Sequence, residues 1–176
     1  MKSYELRYYG DPVLRKKAEP IEKITQEIRD LAQQMIQLME EHKGCGLAAT
    51  QVGALHRLFV SNVDREDEKG EVHLGEPKVY INPVISNPSK VLVEQAEGCL
   101  SIPKLSLPIE RPLSITIEFT DLEGNHHTKE CYGFLARNMM HENDHLNGVL
   151  HVDRYKGDRE ALSQALRKIK RTYYKG

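Results

Sequence analysis

A chain of 176 residues with 39% hydrophobic residues and a net charge of -1 has the size and apolar content of one folded domain, able to withdraw roughly 70% of its surface from water. Its three cysteines, irregularly spaced, argue against a disulfide scaffold and fit a reducing compartment. Met1–Gly10 lacks the apolar run of a signal peptide and no stretch approaches the roughly 20 apolar residues that span a bilayer, so a soluble cytoplasmic protein without membrane contact is expected.

Asp11-Pro12 has the form of an N-cap followed by proline at the first helical position, and predicts a short helix through about Ala18. Ile24, Ile28, Leu31, Met35 and Leu38 recur at alternating steps of four and three, which lays one apolar stripe on a helix that Gly44 should end. From Arg57 the pattern changes to short β-branched runs: Arg57–Asn62, Lys78–Ile85, Lys90–Gln95 and Leu113–Thr120, with a last strand around His127–Tyr132. Asn82-Pro83, Asn87-Pro88 and Gly124-Asn125 punctuate them, and Asp64–Glu71 is charged enough to be read as a solvated loop. Helical spacing returns from Phe134 to about Asn147, with Gly148 as C-terminal cap. A final amphipathic helix, Asp158–Tyr174, sets Leu162, Leu166 and Ile169 on one side. No repeat or linker divides residues 1–176, so the fold class is α+β in one domain, strands grouped in the middle and helices at both ends.

Charge is unevenly spread. Arg154–Gly176 holds eight Lys/Arg against two Asp/Glu, on a body with 17 against 24. Such a basic end is either a solvated closing helix or a contact for an anionic surface such as nucleic acid.

His141-Glu142-Asn143-Asp144-His145 is an HExxH motif. At about 100° per residue its two histidines fall within roughly 40° of each other, one turn apart, and can ligate one metal ion. Glu142, beside the first ligand, is placed to take a proton from an activated water and return it to a leaving amine. A catalytic metal site typically uses three protein ligands, so a third must come from elsewhere. Downstream the chain offers His151, Asp153, Asp158 and Glu160. Upstream stands Glu97-Gly98-Cys99-Leu100-Ser101, with a glycine-flanked thiol at the end of a strand run. A third block, Gly44-Cys45-Gly46-Leu47-Ala48-Ala49-Thr50-Gln51, combines small residues that let another backbone approach with an amide able to donate to a carbonyl oxygen gaining charge.

GxGLAAxQ, EGCLS and HExDH, in that order and at these separations, resemble the three signature motifs of the peptide deformylases, and the resemblance extends from about Tyr9 to Asp153. It implies antiparallel sheets around a central helix that bears HExDH, with helices N-terminal and C-terminal to them. It implies Cys99, His141 and His145 as ligands of one divalent metal ion, natively Fe²⁺, with Zn²⁺, Ni²⁺ or Co²⁺ as other occupants. Glu142 is then the general acid/base, Gln51 and the Leu100 backbone N–H stabilise the oxyanion, and Gly46 pairs with the substrate backbone. The implied reaction removes the formyl group from the N-terminal formyl-methionine of new polypeptides. Cys45 fills a variable apolar position, and Phe134, Arg137 and Asn138 fall at or near the methionine side-chain pocket, where Asn138 departs from the pattern by being polar. Arg111, after the second motif, is expected to pair with Glu97, Asp144 or both. Cys131, in an alternating strand, is expected to be structural.

Three other readings compete: a zincin-like peptidase with a histidine or glutamate third ligand, a thiol hydrolase with Cys99 as nucleophile, and a nucleic-acid or ribosome-binding module built on the basic tail. If the deformylase reading holds, that tail would serve as a ribosome contact near emerging chains.

Overall fold

The apolar stripe of the first helix becomes the buried side of α1 (Gln26–Glu41), where Ile28, Leu31, Ala32, Met35 and Met39 face inward. Thr25 caps it, its hydroxyl accepting from the Ile28 N–H. These features belong to a computed structural model that describes residues 1–176. After α1 come seven strands, β1 (Gly46–Ala48), β2 (Leu58–Glu66), β3 (Val72–Ser86), β4 (Leu92–Cys99), β5 (Ile102–Pro112), β6 (Ser114–Thr120) and β7 (His126–Tyr132), then helices α2 (Gly133–Leu146), α3 (His151–Arg154) and α4 (Arg159–Tyr173). Pairing is antiparallel throughout, in a five-stranded sheet of order β1-β2-β3-β6-β7 and a separate β4-β5 hairpin. This is the α+β arrangement expected.

The period-2 alternation of strands sorts the core into layers. Leu58 and Val60 of β2, with Val79 and Ile81 of β3, pack under α1. Phe59, Val63 and Tyr80, the intervening residues, turn to the opposite face and join Ile115, Ile117 and Phe119 of β6 beneath α2. A third cluster unites Ile102, Leu107 and Ile109 of β5 with Leu150 and Val152 and with Leu162, Leu166 and Ile169 of α4. Helix α2 therefore lies between the large sheet and the hairpin, and eleven of its fourteen residues are buried. A helix enclosed on all sides carries polar groups only at the cost of partnering each of them, and α2 carries several.

Its two ends are held from outside the helix. At the start Tyr132 gives no side-chain cap, and Glu66 of β2 instead accepts the Phe134 N–H at 2.5 Å. At the other end Gly148 takes φ 73°, and a Cβ there would meet the Arg15 carbonyl oxygen at 2.5 Å, so this cap admits only glycine.

Several boundaries differ from expectation. The helix foreseen from Asp11 to Ala18 is a single 3₁₀ turn, Pro12–Arg15, because Lys16 turns extended and the Ala18 N–H is used by Leu146 O at 2.8 Å. Strand β2 takes up Asp64–Glu66 of the predicted loop Asp64–Glu71, leaving a turn in which Asp67 accepts from the Lys69 and Glu71 N–H groups at 2.9 and 3.0 Å. Strand β5 was not foreseen: Pro103, Pro108 and Pro112 argue against a strand interior, but each strand of a two-stranded hairpin is an edge and tolerates missing donors. The short helix α3 and the 3₁₀ turn Ala49–Val52 were likewise not anticipated.

Candidate metal centre and active site

Helical spacing alone brings His141 and His145 together, with their Nε2 atoms 3.3 Å apart. Cys99, at the end of β4, places its Sγ 3.4 Å from His145 Nε2, and the three ligand atoms all lie within 4.8 Å of one another. Bonds of about 2.0–2.1 Å to nitrogen and about 2.3 Å to sulfur in tetrahedral geometry call for separations of roughly 3.3–3.6 Å. The donor set thus fits one divalent ion. The downstream alternatives do not join it: Asp153 is engaged by Arg15 at 2.5 and 3.1 Å, Asp158 caps α4, and the His151 ring lies tilted against that of His141, centroids 5.8 Å apart, without entering the cluster.

One of the candidate ligands, His141, is oriented by a charge. Glu97 Oε1 lies 2.8 Å from His141 Nδ1, which leaves Nε2 of that ring for a metal. Burial and the neighbouring His141 hold His145 well below the ordinary imidazole range, in the neutral form that ligates. Against its burial, Cys99 and Glu97 hold His141 well above that range, a proton that metal binding would displace.

Glu97 is the centre of a buried network. Arg111 holds it through two hydrogen bonds, Nε to Oε2 at 2.6 Å and Nη2 to Oε1 at 2.9 Å, and reaches Asp144 Oδ2 with Nη1 at 2.9 Å. Arg111 therefore pairs with both carboxylates named beforehand. Arg137 donates to Glu97 Oε2 at 2.5 Å and to the carbonyls of Ile109 and Val93 at 2.9 and 2.7 Å. Its side chain lines the cleft, but its guanidinium is spent on β4 and β5. Arg154, just beyond the third motif, binds Asp144 at 2.6 and 2.7 Å. Burial pushes the Glu97 carboxyl up, and the hydrogen bonds from Arg111 and His141 more than reverse this, so that it stays ionised.

Glu142 behaves oppositely. Burial pushes its carboxyl up to about 7, near the value a proton carrier needs at neutral pH, and its Oε2 makes no hydrogen bond within the protein. Gly46 of β1 lies against it, since a Cβ there would sit 2.7 Å from Glu142 Oε1 and 3.0 Å from Asn138 Nδ2. Gln51 is fixed by three contacts: its Oε1 accepts the Ala48 N–H at 2.9 Å, and its Nε2 donates to Ser101 Oγ at 3.0 Å and to Cys99 Sγ at 3.6 Å. Leu100 follows Cys99 in the turn between β4 and β5, its side chain pressed so close to Gly44 that a Cβ there would meet Cδ1 at 2.7 Å.

Cys45, Gly46, Gln51, Cys99, Leu100, Phe134, Arg137, Asn138, His141 and Glu142 all line one cleft of about 610 Å³. His145 is not among the cleft-lining residues, but it joins them through Cys99 and His141, whose Sγ and Nε2 lie 3.4 and 3.3 Å from its Nε2. Cys131 is elsewhere, buried beneath α2, where burial raises its thiol to about 11. Sequence reasoning missed Ser61, Glu66, Ser101, Tyr8 and Tyr173. Ser61 holds Asn138, Glu66 holds the start of α2, Ser101 holds Gln51, and Tyr8 and Tyr173 stack 5.3 Å apart at the cleft rim. Only Ser101 sits in one of the three motifs, where its side chain has no local partner; strand pairing or helix docking delivers the others.

Comparison with known proteins agrees with this geometry. A family model described as polypeptide deformylase matches residues 3–161. The peptide deformylase of Bradyrhizobium diazoefficiens is 44% identical over 149 residues, 85% of each chain. That of Rhizobium meliloti is 44% identical over 143 residues, 81% of this chain and 79% of the relative. The crystal structure of peptide deformylase from Ehrlichia chaffeensis superposes with a TM-score of 0.87 at 34% identity, covering 97% of both chains. Its complex with actinonin gives 0.88 at 36%, covering 99% of both. A ligand set of one cysteine and two histidines, the carboxylate beside it, and likeness along nearly the whole chain lead to one conclusion: the chain belongs to the polypeptide deformylase family.

Proposed function

We propose that this chain hydrolyses the formamide of N-terminal formyl-methionine on newly synthesised polypeptides, releasing formate and a free amino terminus, with one divalent ion held by Cys99, His141 and His145. The observation that carries this is the meeting of that ligand set with Glu142, Gln51 and Gly46 on one cleft wall. A bound divalent ion supplies Lewis acidity toward the formyl carbonyl and acidifies water near neutral pH. Glu142 takes the proton from the attacking water at Oε2 and delivers it to the amine nitrogen as the carbon–nitrogen bond breaks. Gln51 Nε2 and the Leu100 backbone N–H donate to the formyl oxygen as it gains charge. Gln51 can release its long contact to Cys99 Sγ for this purpose while Ala48 and Ser101 keep its amide in place. Gly46 leaves room for the substrate backbone beside Glu142, and Cys45, Phe134 and Asn138 surround the methionine side chain.

The donor set suits iron and zinc alike; ferrous iron is the proposed native ion, by likeness to the family, with zinc, nickel or cobalt as substitutes. The proposed compartment is the cytoplasm of a bacterial-type cell, where formylated chains emerge. There α4 would meet the ribosome. Arg167, Lys168, Lys170 and Arg171 stand exposed while Leu162, Leu166 and Ile169 dock the helix, and phosphate contacts of such a face weaken steeply with salt. Cutting the chain after Tyr155 would be a poor test, because it strips core residues and removes Tyr173 from the cleft. Charge reversal at Arg167, Lys168 and Arg171, read by ribosome co-sedimentation, tests the contact cleanly.

The catalytic reading is tested by Glu142→Gln. Metal content should be retained while turnover of a formyl-Met peptide falls by about 10²–10⁴; Cys99→Ser should lose metal and turnover together. Near-normal turnover by the glutamine variant overturns the assignment.

A further inference from the structure

Asn138 lies on α2 one turn before Glu142, 5% exposed, on the wall of the substrate cleft. A buried amide must be partnered, and here the partner is Ser61 of β2, whose Oγ is 2.6 Å from Asn138 Oδ1. Ser61 Oγ already accepts the Val63 N–H at 3.2 Å, and its one proton has two acceptors within reach: the Cys45 carbonyl at 3.1 Å, which also receives the Asn62 N–H, and the nearer Asn138 Oδ1. A separation of 2.6 Å is short for N–H···O and normal for O–H···O, so the hydroxyl donates and the atom facing it is the amide oxygen. The shorter contact, with the Cys45 carbonyl already receiving the Asn62 N–H, assigns the amide this direction. Its Nδ2 faces Cys45, Gly46 and the open cleft, touching Cys45 Sγ at 3.7 Å. Sulfur is a weak acceptor, and Nδ2 carries two N–H bonds. The second has no partner in the protein.

The cleft wall that faces the first side chain of the substrate thus presents a hydrogen-bond donor with a fixed direction. Seating a purely apolar side chain there leaves a buried N–H unpaired, whereas an acceptor on that side chain satisfies it. Resting on the deformylase reading, we propose that Asn138, oriented by Ser61, is a specificity-determining residue that recognises an acceptor on the first side chain, so that the enzyme accepts N-formyl-methionine sulfoxide and discriminates against N-formyl-norleucine, the apolar isostere of N-formyl-methionine. The sulfoxide oxygen is a strong acceptor, the thioether sulfur a weak one, and the norleucine methylene none, which orders the three substrates. Ser61 acts through Asn138 and is a positioning residue.

The test measures kcat/KM for tripeptides beginning with formyl-methionine, formyl-methionine sulfoxide and formyl-norleucine, using the metal-loaded enzyme, its Asn138→Leu variant and its Ser61→Ala variant. The expected result is that Asn138→Leu, of nearly equal volume, lowers the sulfoxide-to-norleucine ratio about tenfold or more, the weight of one buried hydrogen bond. Ser61→Ala should shift the ratio in the same direction by less. A merely structural role would lower all three substrates together and leave the ratio still. An unchanged ratio in folded Asn138→Leu overturns the proposal while leaving deformylation intact; if that variant does not fold, the ratio in Ser61→Ala decides in the same way. Absence of turnover by the unaltered enzyme on any formylated peptide overturns the deformylase reading, and this proposal with it.

Discussion

Glu97 and His141 meet at 2.8 Å, carboxylate Oε1 to ring Nδ1, across the gap between the hairpin and helix α2. This contact leaves Nε2 of His141 free to ligate, and it ties the ring proposed to hold the metal to the strand that ends in Cys99. Replacing Glu97 with Gln keeps the size and an oxygen acceptor but removes the charge that two arginines and the imidazole share. Metal affinity should fall about 10–100-fold, the usual cost of losing a partner behind a ligand. Competition with a chelator measures it directly, and unaltered affinity would show that the contact does not orient the ring.

Arg111, 3% exposed, spans Glu97 and Asp144 and so joins the second and third motifs. Arg111→Ala strands two buried carboxylates beside each other and should cost about 3–5 kcal/mol of stability. Arg137 and Arg154 retain part of the compensation, which places the loss toward the lower end. Chemical unfolding of the metal-loaded variant gives the number. An unchanged midpoint would mean that the two other arginines suffice.

Gly46→Ala puts a methyl where Glu142 Oε1 stands 2.7 Å and Asn138 Nδ2 3.0 Å away. Glu142 is the end of a side chain and can swing, so the fold should survive. If Glu142 transfers the proton as proposed, displacing it by about 1 Å can cost on the order of 10² in rate, and a drop of that size in kcat is expected with little change in melting temperature. Full activity would show that β1 has room to retreat.

At the opposite end of α2, Arg15 binds Asp153. Burial pushes the Asp153 carboxyl up, but hydrogen bonds from Arg15 and from the Leu150 N–H outweigh it, and the net shift is downward. A carboxyl whose folded-state pKa lies below its unfolded value adds stability above the ordinary carboxylate range and loses it as the pH falls through the folded value. Because both side chains are about two-fifths exposed, the contribution is at most about 1 kcal/mol. The stability gap between the native chain and Asp153→Asn should therefore be present at neutral pH and shrink in acid. A gap that stays constant as the pH falls would assign it to helix capping alone.

What local chemistry can write was readable in the chain itself. HExxH needs only the helical repeat to bring His141 and His145 onto one face, the stripe Ile28-Leu31-Met35 needs only a core to face, and Gly148 stops α2 because no other residue accepts its backbone. Cys99 as third ligand was visible as a glycine-flanked thiol, but choosing it over His151 or Asp153 rested on likeness to a family, since ligand choice depends on distances between segments 40 residues or more apart. The tertiary structure alone decided where Ser61, Glu66, Ser101 and Arg154 act, and that the Arg137 guanidinium turns to Glu97. It also decided that the proline-bearing segment Ile102–Pro112 is a strand, because a hairpin edge forgives missing donors that a strand interior does not. The physical reason is common to these cases: a side chain's local sequence sets its periodicity and its caps, whereas the partner of a buried polar group is set by whichever strand or helix the topology packs against it.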